Sequence, residues 1–216
     1  MSTAAVRELI QQAYAVDARN GHLARLIQAQ IDSLHPSIAL ASDDTIGVLT
    51  RFVHAYIEQV PEFLDAAASV ARNAGIEERI QPVLGVAEQF FLTPPSVLQG
   101  HDGLDALLDE AYLAHRLVEE VNDRYIAHFG QPLIPLDTTV ANLVAHQLIG
   151  EPFANQLDEA VHHAVESMLD DSIFSSASAQ AYRARLSDPQ TVTAWKQWPC
   201  LSRRFGVELN LERGGD

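Results

Sequence analysis

A single cysteine, Cys200, and a single lysine, Lys196, occur among 216 residues. One thiol rules out an intrachain disulfide and with it a disulfide scaffold, and it fits a reducing, cytoplasmic setting. No apolar run approaches the roughly 18 residues that a membrane-spanning helix requires. The first 14 residues, MSTAAVRELIQQAY, place no basic segment ahead of an apolar one, as a secretory signal would. No β-branched run alternates convincingly with polar residues. There is no Gly-x-Ser-x-Gly, no phosphate-binding glycine loop and no dinucleotide fingerprint. Cys200 follows Pro199 with no histidine nearby, which argues against a thiol nucleophile.

Positive charge is also scarce. Lys and Arg number 14 against 29 Asp and Glu, a formal net charge of −15. A chain this acidic, with no basic run, repels both a phosphate backbone and an anionic bilayer. Nucleic acid and membrane are therefore not expected as partners. At 47% hydrophobic residues, the chain has an ordinary globular composition and enough length to bury a core.

What the sequence does have is helical periodicity. Ala, Leu, Val, Gln and Glu recur at spacings of three and four, and Gly and Pro fall mostly between the runs. This predicts an all-α, single-domain bundle of six to nine helices over residues 1–198, with a C-terminal tail, 199–216, as loop. A first helical region spans about 3–33, with a break possible at Gly21. Ser42-Asp43-Asp44 is a helix start. The next helix, 45–73, kinks or divides at Pro61, and another covers about 77–91. The clearest helix is Leu104–Phe129, whose stripe is Leu104, Leu107, Leu108, Ala111, Ala114, Val118, Val121, Tyr125 and Phe129. A helix ending at Ile149 is apolar nearly all round and is expected at the centre. Helices to Leu169, over 176–185 and over 189–198 follow. The predicted core comprises Leu49, Val53, Phe63, Leu108, Ala111, Val118, Val121, Val140, Leu143, Val144, Val161 and Val165, with Trp195 and Trp198 packed against it.

Acid and histidine concentrate in one stretch. Residues 101–172 hold 14 acids, six histidines and only two bases, Arg116 and Arg124. Carboxylate and imidazole together are the ligand set for iron, manganese or zinc, and helical bundles assemble such sites from facing helices. His115 and Glu119 share one helix face at i, i+4. His115 and Asn122 fall on the apolar stripe, so they either form a buried site for a metal or polar ligand or join a hydrogen-bonded core network. Glu159 and His162 form a Glu-x-x-His pair, but they lie opposite the stripe of Leu157, Ala160, Val161, Ala164, Val165 and Met168, as a solvated face would. The candidate metal site is His115, Glu119, Glu159 and His162, with Asn122 behind it. His54 and Glu58 repeat the i, i+4 spacing on an expected exposed face. His146 is expected to be buried. His101-Asp102 matches the dipeptide of metal phosphohydrolases but lies in a glycine-flanked loop.

Leu34-His35-Pro36, followed by a long helix bearing Phe52, Tyr56 and Phe63, resembles the opening of the haem-oxygenase-like helical superfamily. The similarity covers about a quarter of the chain and implies a fold, not a set of catalytic residues. Some members of that superfamily are diiron oxidases and others use no metal. Two functions are thus compatible with the sequence. One is a metal-dependent (iron or manganese) oxidase-like enzyme acting on a small molecule. The other is a non-catalytic helical module that binds a protein partner or forms a homo-oligomer through its acidic face. The segment 173–216, with six bases and four acids, could pair with that face in a second copy.

Overall fold

A computed structural model describes residues 3–36, 38–40, 44–100, 103–134, 136, 138–169, 171–186, 188–189, 193 and 207–209. The chain is an all-α bundle. Helices α1 (Ala4–Asn20) and α2 (His22–Gln30) are separated by Gly21. Its φ of 59° lies in the left-handed region that glycine enters without steric cost. Helix α3 (Thr45–Ala74) begins at Asp44, whose side chain accepts from the Gly47 N–H at 3.0 Å, and continues through Pro61 without a break. Gly75, with φ of 64°, closes it.

Then follow α4 (Glu77–Leu92), α5 (Gly103–Phe129), α6 (Thr139–Ile149), α7 (Glu151–Met168), α8 (Asp171–Ser175) and α9 (Ala177–Arg185). Single-turn 3-10 pieces lie at Ile31–Ser33 and Ser96–Leu98. Val207–Leu209, within the tail read as loop, forms a strand, β2, that pairs antiparallel with β1 (Ile38–Leu40). Three residues of alternating character are too short a run to stand out in a periodicity reading. Most of the helix expected over 189–198, with Trp195 and Trp198, lies outside the described residues, as do Cys200, His101 and Asp102.

The centre is α5, which packs against α1, α2, α3, α4, α6 and α7. From Leu104 to Leu117 nearly every residue is buried, whichever way it points. The core built around it runs unbroken from Val6 to Leu186. This corrects the expectation that the helix ending at Ile149 is central. On α6, Val144 and Leu148 are buried, but Val140 is only half-buried and Leu143 is 49% exposed. An apolar side chain is not obliged to be inside, since much of any folded surface is apolar. The remaining predicted core residues, Leu49 to Val121 together with Val144, Val161 and Val165, are all buried.

These positions separate in a stability measurement. Leu113→Ala on α5 should cost roughly 2–5 kcal/mol, the price range of a truncated core leucine. Leu143→Ala should stay within about 0.5 kcal/mol of wild type, as exposed substitutions do. Equal losses in urea unfolding would place α6, not α5, at the centre.

Candidate functional site

His115 is fully buried on α5. Its ring lies 4.2 Å from that of Tyr56 and 5.3 Å from that of Phe63, both on α3. The Nε2–H donates to the Tyr56 carbonyl at 3.0 Å. A carbonyl can only accept, so the tautomer is set and Nδ1 carries the lone pair. That atom is buried and has no hydrogen-bond partner. The bond falls one residue from the Ile57 carbonyl, which Pro61 deprives of its usual helical donor. Burial pushes the imidazole pKa from 6.5 down to about 4, against a smaller opposing effect of the Tyr56 bond.

Glu119 is drawn elsewhere. Its Oε2 accepts from Arg116 Nη1 at 2.6 Å and from Asn142 Nδ2 at 2.5 Å. Arg116 Nε reaches Asp158 Oδ1 at 2.9 Å, which also accepts from the Tyr112 hydroxyl at 2.9 Å. Asn142 Oδ1 accepts from the Tyr56 hydroxyl at 2.7 Å. A continuous chain of hydrogen bonds thus joins α3, α5, α6 and α7 through Tyr56, Asn142, Glu119, Arg116, Asp158 and Tyr112. Burial, followed by the Asp158 carboxylate, lifts the Tyr112 hydroxyl pKa well above its ordinary value. Half-buried His146 sits at the edge of this chain, 3.2 Å from Asn155 Oδ1 and 3.8 Å from Asp158 Oδ2.

Asn122 does not stand behind His115. It clamps the connector that precedes α6, donating to the Ile134 carbonyl at 2.6 Å and accepting from the Ile134 N–H at 2.9 Å. Glu159 and His162 are exposed on α7. His162 meets Glu120 at 3.4 Å and Glu166 at 3.2 Å. Glu58 is exposed as expected, whereas His54 is half-buried against the Tyr14 ring at 4.6 Å. Among the described residues, no three His, Cys, Asp or Glu side chains are grouped to hold a metal ion. His115 is therefore a core histidine, Glu119 an ion-pair partner, and Glu159 and His162 members of a solvated face.

A different acidic residue is out of place. Glu110, on α5, is 6% exposed, and its Oε2 is buried without a hydrogen-bond partner. Burial, with the neighbouring Asp109 charge adding to it, pushes its carboxyl from 4.5 up to about 8. Glu110 lines a cleft of about 510 Å³ between α1, the start of α2, the end of α4 and the start of α5. Leu9, Val16, Phe91, Leu104 and Leu107 supply apolar wall, while Gln12, Asp17, Asn20 and His22 supply polar groups. Asp17 and Asn20 are occupied by local bonds: Asp17 Oδ1 accepts from the Leu23 N–H at 2.8 Å and Asn20 Oδ1 from the His22 N–H at 3.0 Å. His22 Nδ1 lies 3.5 Å from Asp105 Oδ1.

Glu110 does not stand out in the histidine and carboxylate spacing of the sequence. A signal was there. Asp109 and Glu110 sit inside Leu104–Val118, where apolar residues occupy every side of the helix, so an adjacent pair of acids cannot both face water.

No family model, curated protein or solved structure matches this chain. Among the described residues, no helix is long and apolar enough to cross a membrane.

His115 and Glu110 give opposite pH signatures. An unfolded chain protonates His115 near 6.5 and the folded one only near 4, so stability from its neutral form is lost as pH falls through that window. Glu110 keeps its proton to about 8 when folded but releases it near 4.5 when unfolded, so stability is lost as pH rises between those values. Each slope is at most about 1.4 kcal/mol per pH unit. Urea unfolding from pH 4 to 9 should show His115→Leu lacking the acid-side loss and Glu110→Gln lacking the alkaline-side loss. A wild-type slope retained in either variant would refute the assignment to that residue.

Proposed function

We propose that this chain is a helical binding protein for a small organic molecule, held in the cleft between α1, α2, α4 and α5. The observation that carries this reading is the Glu110 carboxyl: buried, without a partner at Oε2, and lining a cleft of about 510 Å³. A buried polar atom left without a partner costs about 1–3 kcal/mol. Such a cost persists where it serves something, and a cleft offers a means of relieving it by a ligand. The volume, apolar wall and small number of polar groups match the usual make-up of a small-molecule site. This reading keeps the non-catalytic class and exchanges a protein partner for a small molecule. The hydrogen-bonded chain from Tyr56 to Tyr112 supports the same view, because its members are committed to one another and serve as a brace between helices.

Val16, 40% exposed at the rim of the cleft, allows a direct test. A tryptophan there fills the mouth without entering the core. Ligand-observed NMR with a fragment library should find binders that Val16→Trp abolishes and Ile126→Trp, at an exposed site on the far part of α5, retains. Fragments that bind both variants equally would move the site away from this cleft, and a library without binders would remove the reading.

A further inference from the structure

Resting on the cleft reading above, we infer that the ligand is an organic cation, a primary or secondary amine on an apolar body, whose ammonium group pairs with Glu110. Three observations converge. First, among the described residues the titratable groups lining the cleft are Asp17, His22 and Glu110, with no lysine or arginine. Asp109 adds negative charge beside Glu110, and Asp105 lies 3.5 Å from His22, which lines the cleft. Arg25, near the rim, is already bonded to the Asn20 carbonyl at 2.5 Å. The local field therefore attracts a cation and repels a carboxylate or phosphate.

Second, the polar groups do not compete equally: Asp17 and Asn20 each accept a backbone N–H and Gln12 donates to Glu8, whereas Glu110 Oε2 is buried with no hydrogen-bond partner. An ammonium brings several donors and a compensating charge, and a charged hydrogen bond is about twice as strong as a neutral one. A neutral alcohol brings one donor and no charge, so it gains no charge-assisted bond and leaves the carboxyl protonated. Third, Leu9, Val16, Phe91, Leu104 and Leu107 form a wall with no polar function, which suits a hydrocarbon body.

Binding an ammonium also changes the proton count. In the empty cleft Glu110 is mostly protonated at neutral pH, since burial holds its carboxyl near 8. The ligand's positive charge favours the carboxylate, so the carboxyl proton leaves to solvent as the ion pair forms.

The experiment compares n-hexylamine, 1-hexanol and hexanoate on the intact chain by calorimetry at pH 7, in two buffers of different ionisation enthalpy. Hexylamine should bind at least tenfold more tightly than hexanol, hexanoate should not bind, and the hexylamine enthalpies should differ between buffers by the release of up to one proton. Glu110→Gln should abolish the preference for the amine over the alcohol. Because the three-probe comparison is made on the wild-type chain, it does not depend on how that variant folds. Equal affinities for hexylamine and hexanol, or a preference that survives Glu110→Gln, would overturn the cation assignment while leaving the cleft as a binding site. If none of the three binds, the assignment falls. Fragments that Val16→Trp displaces would then still stand for the cleft, and their absence would remove it too.

Discussion

Enclosure of α5 is the constraint on which the rest of the structure depends. A helix packed against six others has no solvated face along most of its length, so each polar residue on it must find a partner inside. Arg116 and Glu119 do so through Asp158 and Asn142. Asn122 does so by pairing with both backbone groups of Ile134, which fixes the connector that delivers α6. The positions of α6 and α7 follow from these bonds as much as from apolar contact. Tyr56 extends the same chain to α3 and ties the first half of the protein to the second.

Asp105, His115 and Glu110 on α5 each keep a buried polar atom without a hydrogen-bond partner, Asp105 lying 3.5 Å from His22, and the last two differ in kind. His115 is half satisfied: one nitrogen donates to Tyr56 and the other faces apolar surroundings. The rings of Tyr56 and Phe63 pack against it. The cost is borne by keeping the ring neutral, and it is part of the packing of α3 on α5. Glu110 has the same deficit but borders open volume. The distinction between a structural and a functional buried polar group here is thus one of access. His115 lies wholly within the core, whereas Glu110 lines a cleft, which is the basis for proposing that a ligand completes it.

The sequence made the helices legible because their punctuation is strong. Gly21, Gly75 and the Asp44 cap mark ends that the structure places within a residue or two of those read from the pattern. The stripe on Leu104–Phe129 was also legible, since a 27-residue helix gives period enough to fix a phase. Side-chain partners were not. His115 was correctly placed inward, but whether it meets carboxylates or rings depends on which helix faces it, and spacing along one helix carries no information about that. The same holds for Glu119, whose partner Asn142 lies 23 residues away on another helix. Leu143 misled because an apolar residue records opportunity for burial and not burial itself.

Buried acids next to one another carry more information than histidines at helical spacing. The i, i+4 pairs His115–Glu119 and His54–Glu58 arise readily by chance in a chain with nine histidines and 29 acids. Asp109 and Glu110 are harder to account for as accident. Adjacent helical positions point about 100° apart, so a pair of acids within an apolar run forces at least one carboxyl toward the core. Keeping it there raises its pKa and lowers stability at neutral pH unless something else is gained. In this bundle the fully satisfied hydrogen-bond chain accounts for rigidity and the apolar core for stability. Glu110 contributes to neither and lines the cleft, which is why we propose the function there.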